Sequence, residues 1–276
     1  MSIWNTPRPI RAIFFDVDGT LLSFKDHRVP ETTLMALAEL KRKGVMCFLA
    51  TGRPPYQLEE ISIDNFEAFI LFNGQLCLTR DEVFFDEFMD RGDIATVIDQ
   101  VDQGLYECLF MEKGRCYVSG HNDDVCAIEE ATGQHFQEGD IHQALHNDIY
   151  QLNVFLHPGE TGVVTDATEH LKLTRWSPHF VDAFPRHGGK HAAVRRMLQR
   201  YGLDADEAAA FGDGGNDVSM LSYVPLSFAV SGATRDAKDA ARYLIGACED
   251  DAVPEAIEAL VQGEMPQHTP VPSHVR

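Results

Sequence analysis

The chain has 276 residues, and 43 acidic against 23 basic side chains leave a formal net charge of −20. A chain this negative repels a phosphate backbone and an anionic lipid surface, which excludes a sequence-independent nucleic-acid binder and a protein held on a membrane by charge. Hydrophobic residues make up 44%, enough for a core and too much for a disordered chain. No apolar run approaches the ~20 residues that span a bilayer. The first residues, with Trp4, Asn5, Pro7 and Pro9, lack the apolar stretch and small-residue cleavage site of a secretory signal, so the expected location is cytoplasmic. Six cysteines form no CxxC pair, and several sit in apolar runs such as Met46-Cys47-Phe48-Leu49. They read as reduced, buried thiols rather than as a disulfide framework or a zinc site.

In chain order, Ile10–Phe15 is a short apolar run with the look of a buried parallel strand, ending in Asp16-Val17-Asp18-Gly19-Thr20. A helix is expected over Pro30–Lys43, stopped by Gly44. Val45–Ala50 reads as a second buried strand that ends at Thr51-Gly52-Arg53, with Pro54 and Pro55 suited to the first turn of a further helix. Ala68–Phe72 is a third strand, ending at Asn73-Gly74. This β-α-β-α-β run predicts a doubly wound parallel sheet.

After Asp81 the rhythm changes. Strands are expected over Val83–Met89 and Ile149–Leu156, hairpins over Tyr106–Ser119 and Leu173–Phe184, and helices around Ile94–Val101, Val125–Thr132 and Gly162–His170. Hairpins interleaved with helices predict an α+β layer on a largely antiparallel sheet. The parallel pattern then resumes with a helix over Lys190–Tyr201 and a strand over Ala208–Phe211 that ends in Gly212-Asp213-Gly214-Gly215-Asn216-Asp217. A helix from Val218, a strand over Pro225–Val230, a helix over Arg235–Ala241, a short strand at Tyr243–Ile245 and a helix over Val253–Val261 complete it, and the proline-bearing tail from Gln262 is expected to be mobile. The expected fold class is α/β: a core from residues 1–82 and 184–276, with an α+β layer, 83–183, inserted into it.

Open α/β sheets bind ligands at the carboxyl ends of their strands. Four clusters fall there: Asp16 with Asp18, Thr51, Asn73, and Asp213 with Asn216 and Asp217; the positive charges expected nearby are Lys190, Arg53 and Arg186. Crowded carboxylates repel unless a cation or a proton intervenes. Hard divalent ions such as Mg²⁺ take oxygen ligands and keep waters for a phosphate. The constellation therefore suggests Mg²⁺ and a small phosphorylated ligand. An EF-hand calcium loop starting at Asp213 needs a Glu at position 224, which is Val224, so that reading fails.

Asp16-Val17-Asp18-Gly19-Thr20-Leu21 resembles the DxDGT signature of the haloacid dehalogenase superfamily. Thr51-Gly52-Arg53, Lys190 and Gly212-Asp213-Gly214-Gly215-Asn216-Asp217 are similar to its later motifs in the same order, and the insertion occupies the position of the large cap of the Cof-like, type II subgroup. The resemblance implies a Rossmann-like core under a cap and an Mg²⁺-dependent phosphomonoesterase that hydrolyses a small phosphorylated metabolite, a sugar phosphate or similar. Asp16 would be the nucleophile that forms an aspartyl-phosphate, and Asp18 the acid and then the base. Thr51, Gly52, Lys190 and Asn216 would bind the phosphoryl group. Asp16, Asp18, Asp213 and Asp217 would serve the metal. Arg53 and Asn73 would contact substrate, help the cap to close or serve a structural role.

Two departures from the family pattern stand out. Gly188-Gly189-Lys190-His191 replaces the common Ser-Lys-Gly, and Val230-Ser231-Gly232-Ala233 lacks the usual Gly-Asn pair. A phosphomutase uses the same aspartyl-phosphate, and a non-catalytic binding or regulatory protein on this fold is the reading from a different class. His179 and His187 flank the expected hinge between cap and core. The expected assembly is a monomer or a small homo-oligomer.

Overall fold

In the computed structural model, which describes residues 8–23, 28–58, 61 and 63–262, the first apolar run forms β1 (Ala12–Phe15), buried along its whole length. A strand covered on both faces can be apolar throughout. α1 (Glu31–Arg42) carries the chain to β2 (Met46–Ala50), which pairs parallel with β1. The helix expected after Pro54-Pro55 does not form among the described residues. Two 3-10 turns, Pro55–Gln57 and Ile63–Asn65, lead instead to β3 (Ala68–Leu71), parallel to β2. The physical cause is the proline pair: a residue before proline is driven out of the helical region, and Pro54 is extended, at φ −76° and ψ 167°.

β4 (Leu76–Thr79) and β5 (Val83–Asp86) continue this sheet antiparallel. The strand expected to open the insertion therefore lies in the first sheet, and β4 is a strand the sequence reading lacks. Thr79 explains the turn between them, because its hydroxyl accepts the Asp81 and Glu82 amides and folds the chain back at once.

The inserted layer contains α2 (Arg91–Asp102), β6 (Cys108–Met111), β7 (Cys116–Val118), α3 (Asp123–Thr132), β8 (Gln151–Val154), α4 (Gly162–Thr165), β9 (Leu171–Thr174) and β10 (Val181–Pro185). Its five strands run antiparallel in the order β7-β6-β8-β10-β9. α4 is one turn rather than a helix to His170. The Glu169 and His170 amides donate to Asp93 on α2, so they are not available to continue it. The chain then returns through α5 (Lys190–Tyr201), β11 (Ala208–Gly212), α6 (Val218–Tyr223), β12 (Leu226–Ala229), α7 (Arg235–Ala240), β13 (Tyr243–Leu244) and α8 (Ala252–Gln262). The tail expected to be mobile lies, from residue 263, outside the described residues. All six cysteines are free; Cys126 is exposed, which the expectation of buried thiols did not include.

The first sheet has the order β13-β12-β11-β1-β2-β3-β4-β5. From β1 the chain moves one way to β2 and β3, and later the other way from β11 to β12 and β13. Right-handed crossovers in opposite directions put helices on opposite faces, and α1 packs on α8 while α5, α6 and α7 pack in series. The crevice where the direction reverses is the ligand position of such sheets, and it lies between β1 and its neighbours β11 and β2. Register there is held by a ladder of rings. Phe15 stacks on Phe211 at 5.2 Å, Phe211 on Phe228 at 4.7 Å and Phe228 on Tyr243 at 5.5 Å, each pair directly opposed across parallel strands.

Alternation sorts the cap sheet. Leu152, Val154, Val181 and Ala183 join an apolar cluster with Ile94, Val97 and Ile98 of α2. The alternate positions Gln151, Asn153 and Asp182 therefore point to the other face, toward the core, and Asp182 stands opposite Asn153 in the ladder.

Candidate active site

Asp16 is the first residue past β1, and its amide donates to the Phe211 carbonyl of β11. Asp213 is the first residue past β11. The ring ladder thus sets the two carboxylates side by side at one strand end. Thr20 joins them, with its hydroxyl donating to Asp213 Oδ1 at 3.1 Å. Lys190 opens α5 behind Gly189, whose φ of 105° suits glycine. The lysine is fully buried, with Nζ 2.5 Å from Asp16 Oδ1 and 2.6 Å from Asp217 Oδ1. The other oxygen of Asp217 accepts the Asp213 and Gly214 amides at 3.0 and 2.9 Å. Asp217 therefore ties the lysine to the loop, and both its oxygens are engaged.

The electrostatics follow from burial. Desolvation, reinforced by Asp217, pushes Asp16 up to about 7 in spite of its ion pair. Desolvation, then the charges of Asp16 and Asp217, pushes Asp213 well above the carboxylate range. Burial pulls the Lys190 ammonium down, but Asp16 and Asp217 outweigh it and hold the lysine above its ordinary value. One ammonium thus faces three acids. Oxygens of Asp16, Asp213 and Asp217 lie within 4.8 Å of one another, an all-oxygen donor set of the kind a hard divalent cation selects.

Asp18 sits on the open side. Arg53 grips it with both arms of the guanidinium, Nε to Oδ2 at 2.9 Å and Nη2 to Oδ1 at 2.7 Å, and gives Nη1 to the Gln57 carbonyl. Thr51 is buried at the end of β2, and its hydroxyl accepts the Arg53 amide. Asn73 is fully buried at φ 54°, a left-handed conformation that asparagine tolerates. Its amide nitrogen donates to Gln151 and Asp182 of the cap, both at 2.9 Å, and its oxygen accepts from Asn216 at 3.0 Å. Asn73 is thus the joint between the cap and the loop that bears Asp213, and Asn216 spends an amide hydrogen on it.

The sequence motifs therefore converge. Asp16, Asp18, Thr51, Gly52, Arg53, Asp213 and Asn216 line one cavity of about 340 Å³ between core and cap, with Lys190, Asn73 and Asp217 behind its wall. Among the contributors absent from the sequence reading are Gln151 and Asp182 on the cap sheet, and Trp176 and Phe180 on the loop before β10. The available signal was the polar residue at every second position of Gln151-Leu152-Asn153-Val154 and in Val181-Asp182-Ala183, since a core-only strand carries no such stripe. Burial pushes Asp182 up to about 7, against the pull of hydrogen bonds from Asn73. The glycine pair also has a role other than ligand approach. A Cβ on Gly215 would sit 2.2 Å from the Arg175 carbonyl, and one on Gly214 3.2 Å from Trp176 Cβ. These glycines let the cap loop rest on the core.

The haloacid dehalogenase-like hydrolase model matches residues 13–257. The chain belongs to that family. Among its relatives is "Putative phosphatase YkrA" of Bacillus subtilis (strain 168), 28% identical over 256 residues, which make up 91% of this chain and 97% of that protein. The HMP-PP phosphatase of Escherichia coli O157:H7 is 27% identical over 271 residues, covering 88% and 93% of the two chains. A solved structure described as the HAD subclass IIB sugar phosphatase BT4131 superposes with a TM-score of 0.86 at 27% identity, covering 91% of this chain and 99% of that one. This chain is a hydrolase of the haloacid dehalogenase type, and the relatives it matches are phosphatases by name.

Proposed function

We propose that the chain is an Mg²⁺-dependent phosphomonoesterase that moves the phosphoryl group of a small metabolite onto Asp16 and then to water. The observation that carries the reading is the buried Lys190 ammonium clamped between Asp16 and Asp217. A buried charge is retained where chemistry needs it, and here it holds one oxygen of the residue that would attack phosphorus. Asp16 and Asp213, with the Asp18 carbonyl, would hold the metal. Asp217 is better read as the brace for Lys190 and the loop. When bound, Mg²⁺ supplies the positive charge that lets a carboxylate approach a phosphoryl group.

The chain's own residues do the rest. Lys190 orients Asp16 and would neutralise phosphoryl oxygen as charge develops. The Thr51 hydroxyl and the Gly52 amide, which line the same cavity, would take the remaining oxygens. Arg53 holds Asp18 with both arms of its guanidinium, and the Asp18 carboxylate would activate water in the second step. An entering leaving group has to displace that guanidinium before Asp18 can deliver a proton in the first. The closed cap excludes water from the first step. On this reading the core would be residues 1–82 and 184–276 and the cap 83–183, except that β5 pairs in the core sheet and β10 in the cap sheet.

The test uses p-nitrophenyl phosphate and Mg²⁺. Asp16→Asn is expected to lose at least ~10³-fold in turnover while keeping the wild-type circular dichroism. A fully active Asp16→Asn enzyme removes the nucleophile from the mechanism.

A further inference from the structure

The cap carries a cluster of nitrogen and oxygen side chains that phosphoryl transfer does not use. It lies where three segments meet. His121 follows β7, Glu129 is on α3, and His135 comes just after Gly133, whose left-handed backbone (φ 67°) ends that helix and turns the chain back. Ligand atoms of the three side chains lie within 4.8 Å of one another. Glu129 Oε1 is the centre, with His121 Nε2 at 3.2 Å, His135 Nδ1 at 2.9 Å and the Phe136 amide donating to it at 2.6 Å. The two imidazole rings lie side by side, their centroids 5.7 Å apart and their planes 20° from parallel. Two donors on one tetrahedral Zn²⁺, each about 2.0–2.1 Å from the metal, stand roughly 3.3 Å apart, so the separations from Glu129 are already close to those between neighbouring ligands.

A fourth residue supports the same reading. The Val118 amide donates to the Gln137 carbonyl and the Gly139 amide to the Val118 carbonyl, which sets Glu138 beside β7. From there Glu138 Oε1 meets His121 Nδ1 at 2.9 Å. A ligating histidine commonly gives its other ring nitrogen to a carboxylate, which fixes the ring with the first nitrogen aimed at the metal. Other clusters of ligand-type side chains are already spent. Arg8 and Arg11 pair with Asp204, Asp206 and Glu207, and the two oxygens of Asp93 accept the Glu169 and His170 amides. Among the described residues no lysine or arginine pairs with Glu129, and its ionic partners are the two histidines.

The donor set also chooses the ion. Asp16, Asp213 and Asp217 offer oxygen alone, which suits a hard cation. Two imidazoles and one carboxylate select a borderline transition cation instead. Such an ion takes the place of the protons through which His121 Nε2 and His135 Nδ1 reach Glu129.

We propose that His121, Glu129 and His135 form a site for a borderline divalent transition cation of the Zn²⁺ class, with Glu138 holding His121 in place. None of the three ligands lines the cavity between core and cap, so the site is separate from the acid cluster. It is joined to the cavity through the chain: Gln134, next to His135, accepts from Gln57 of the core at 3.0 Å, and Phe136 is in the cavity wall. A bound ion ties this segment to α3 and to the end of β7, and so stiffens the edge of the cap that meets the core.

The experiment uses the full chain in excess Mg²⁺, which competes for the acid cluster. Zn²⁺ binding is followed by calorimetry and Co²⁺ binding by visible absorption. One Zn²⁺ per chain at micromolar affinity or tighter is expected, with Co²⁺ giving the spectrum of a nitrogen-ligated centre that Zn²⁺ abolishes. His135→Ala, at an exposed position, and His121→Ala should each weaken Zn²⁺ binding at least ~10-fold, and Glu138→Gln should weaken it several-fold through the ring it holds. Zn²⁺ should raise the Tm of the wild type and leave that of His135→Ala unchanged. Asp16→Asn should bind Zn²⁺ as the wild type does. The assignment is overturned by a wild type that binds no Zn²⁺, by unchanged affinity in His135→Ala, or by binding that disappears in Asp16→Asn and persists in both histidine variants.

Discussion

Lys190→Met tests the central ion triad. The substitution keeps most of the apolar stem and removes an ammonium that is fully buried and bonded at 2.5 and 2.6 Å to two carboxylates. Breaking a buried pair from one side costs about 3–5 kcal/mol, because the surviving charge is left without a partner. In a chain of this size that corresponds to a fall in Tm of about 10 °C. The loss has a pH signature. With Lys190 gone, Asp16 loses the charge that opposes its burial, so its carboxyl rises further and keeps above pH 7 the proton that the wild type gives up around that pH. Each additional bound proton returns about 1.4 kcal/mol per pH unit on acidification. Because the wild-type carboxyl itself takes up a proton as pH falls through about 7, the deficit seen at pH 7.5 should shrink by only about 1 kcal/mol at pH 5.5. Urea melts of both proteins, metal-free, at the two pH values measure it. A deficit below ~1 kcal/mol at pH 7.5, or one that grows on acidification, refutes the account of a lysine that neutralises two buried acids.

Asp16→Asn should raise the Tm of the metal-free protein above pH 7, because the wild-type carboxyl, raised to about 7 by burial and Asp217, is destabilising when ionised; calorimetry showing a lower Tm contradicts this. Asp182→Asn should flatten the pH dependence of stability. A carboxyl raised from 3.8 to about 7 in the fold contributes most below pH ~4 and loses that contribution, up to about 4 kcal/mol, as pH rises through 7, so parallel wild-type and variant curves would count against it. Gly215→Ala should lower kcat/KM by about 10-fold or more, since its methyl group occupies the seat of the Arg175 carbonyl; wild-type kinetics would show that the cap does not rest there. EDTA should silence the enzyme and Mg²⁺ restore it, and activity that persists in chelator removes the metal from the mechanism.

The core was legible because its signals are local. Apolar runs such as Ala12–Phe15 end directly in acids, and parallel topology carries those ends to one edge. Lys190 was legible only through its order among the motifs. Nothing in Gly188-Gly189-Lys190 says that the side chain is buried, and burial comes from β1 and the Asp217 loop, far away in sequence. Asp217 was expected among the metal residues through the family resemblance; its occupation by two amides and an ammonium is a tertiary fact. The cap was harder to read. Its strands are short, β5 looks the same whichever sheet receives it, and α4 stops because Asp93 takes the amides that would prolong it. The departure at Gly188 also has a local cause: a Cβ there would lie 2.0 Å from the Gln75 amide nitrogen. This glycine admits Gln75, a fully buried side chain, against the start of α5.

The loop after β11 serves two neighbours at once. Asp213 faces the acid cluster, and two residues on, Gly215 carries the weight of the cap. Events at its two ends are therefore thermodynamically linked, and such linkage is reciprocal. Whatever tightens the acid cluster favours the docked cap by the same free energy with which docking tightens the cluster. Lifting the cap to let product out then loosens the site that held the product, so release and the reset for the next turnover become one motion.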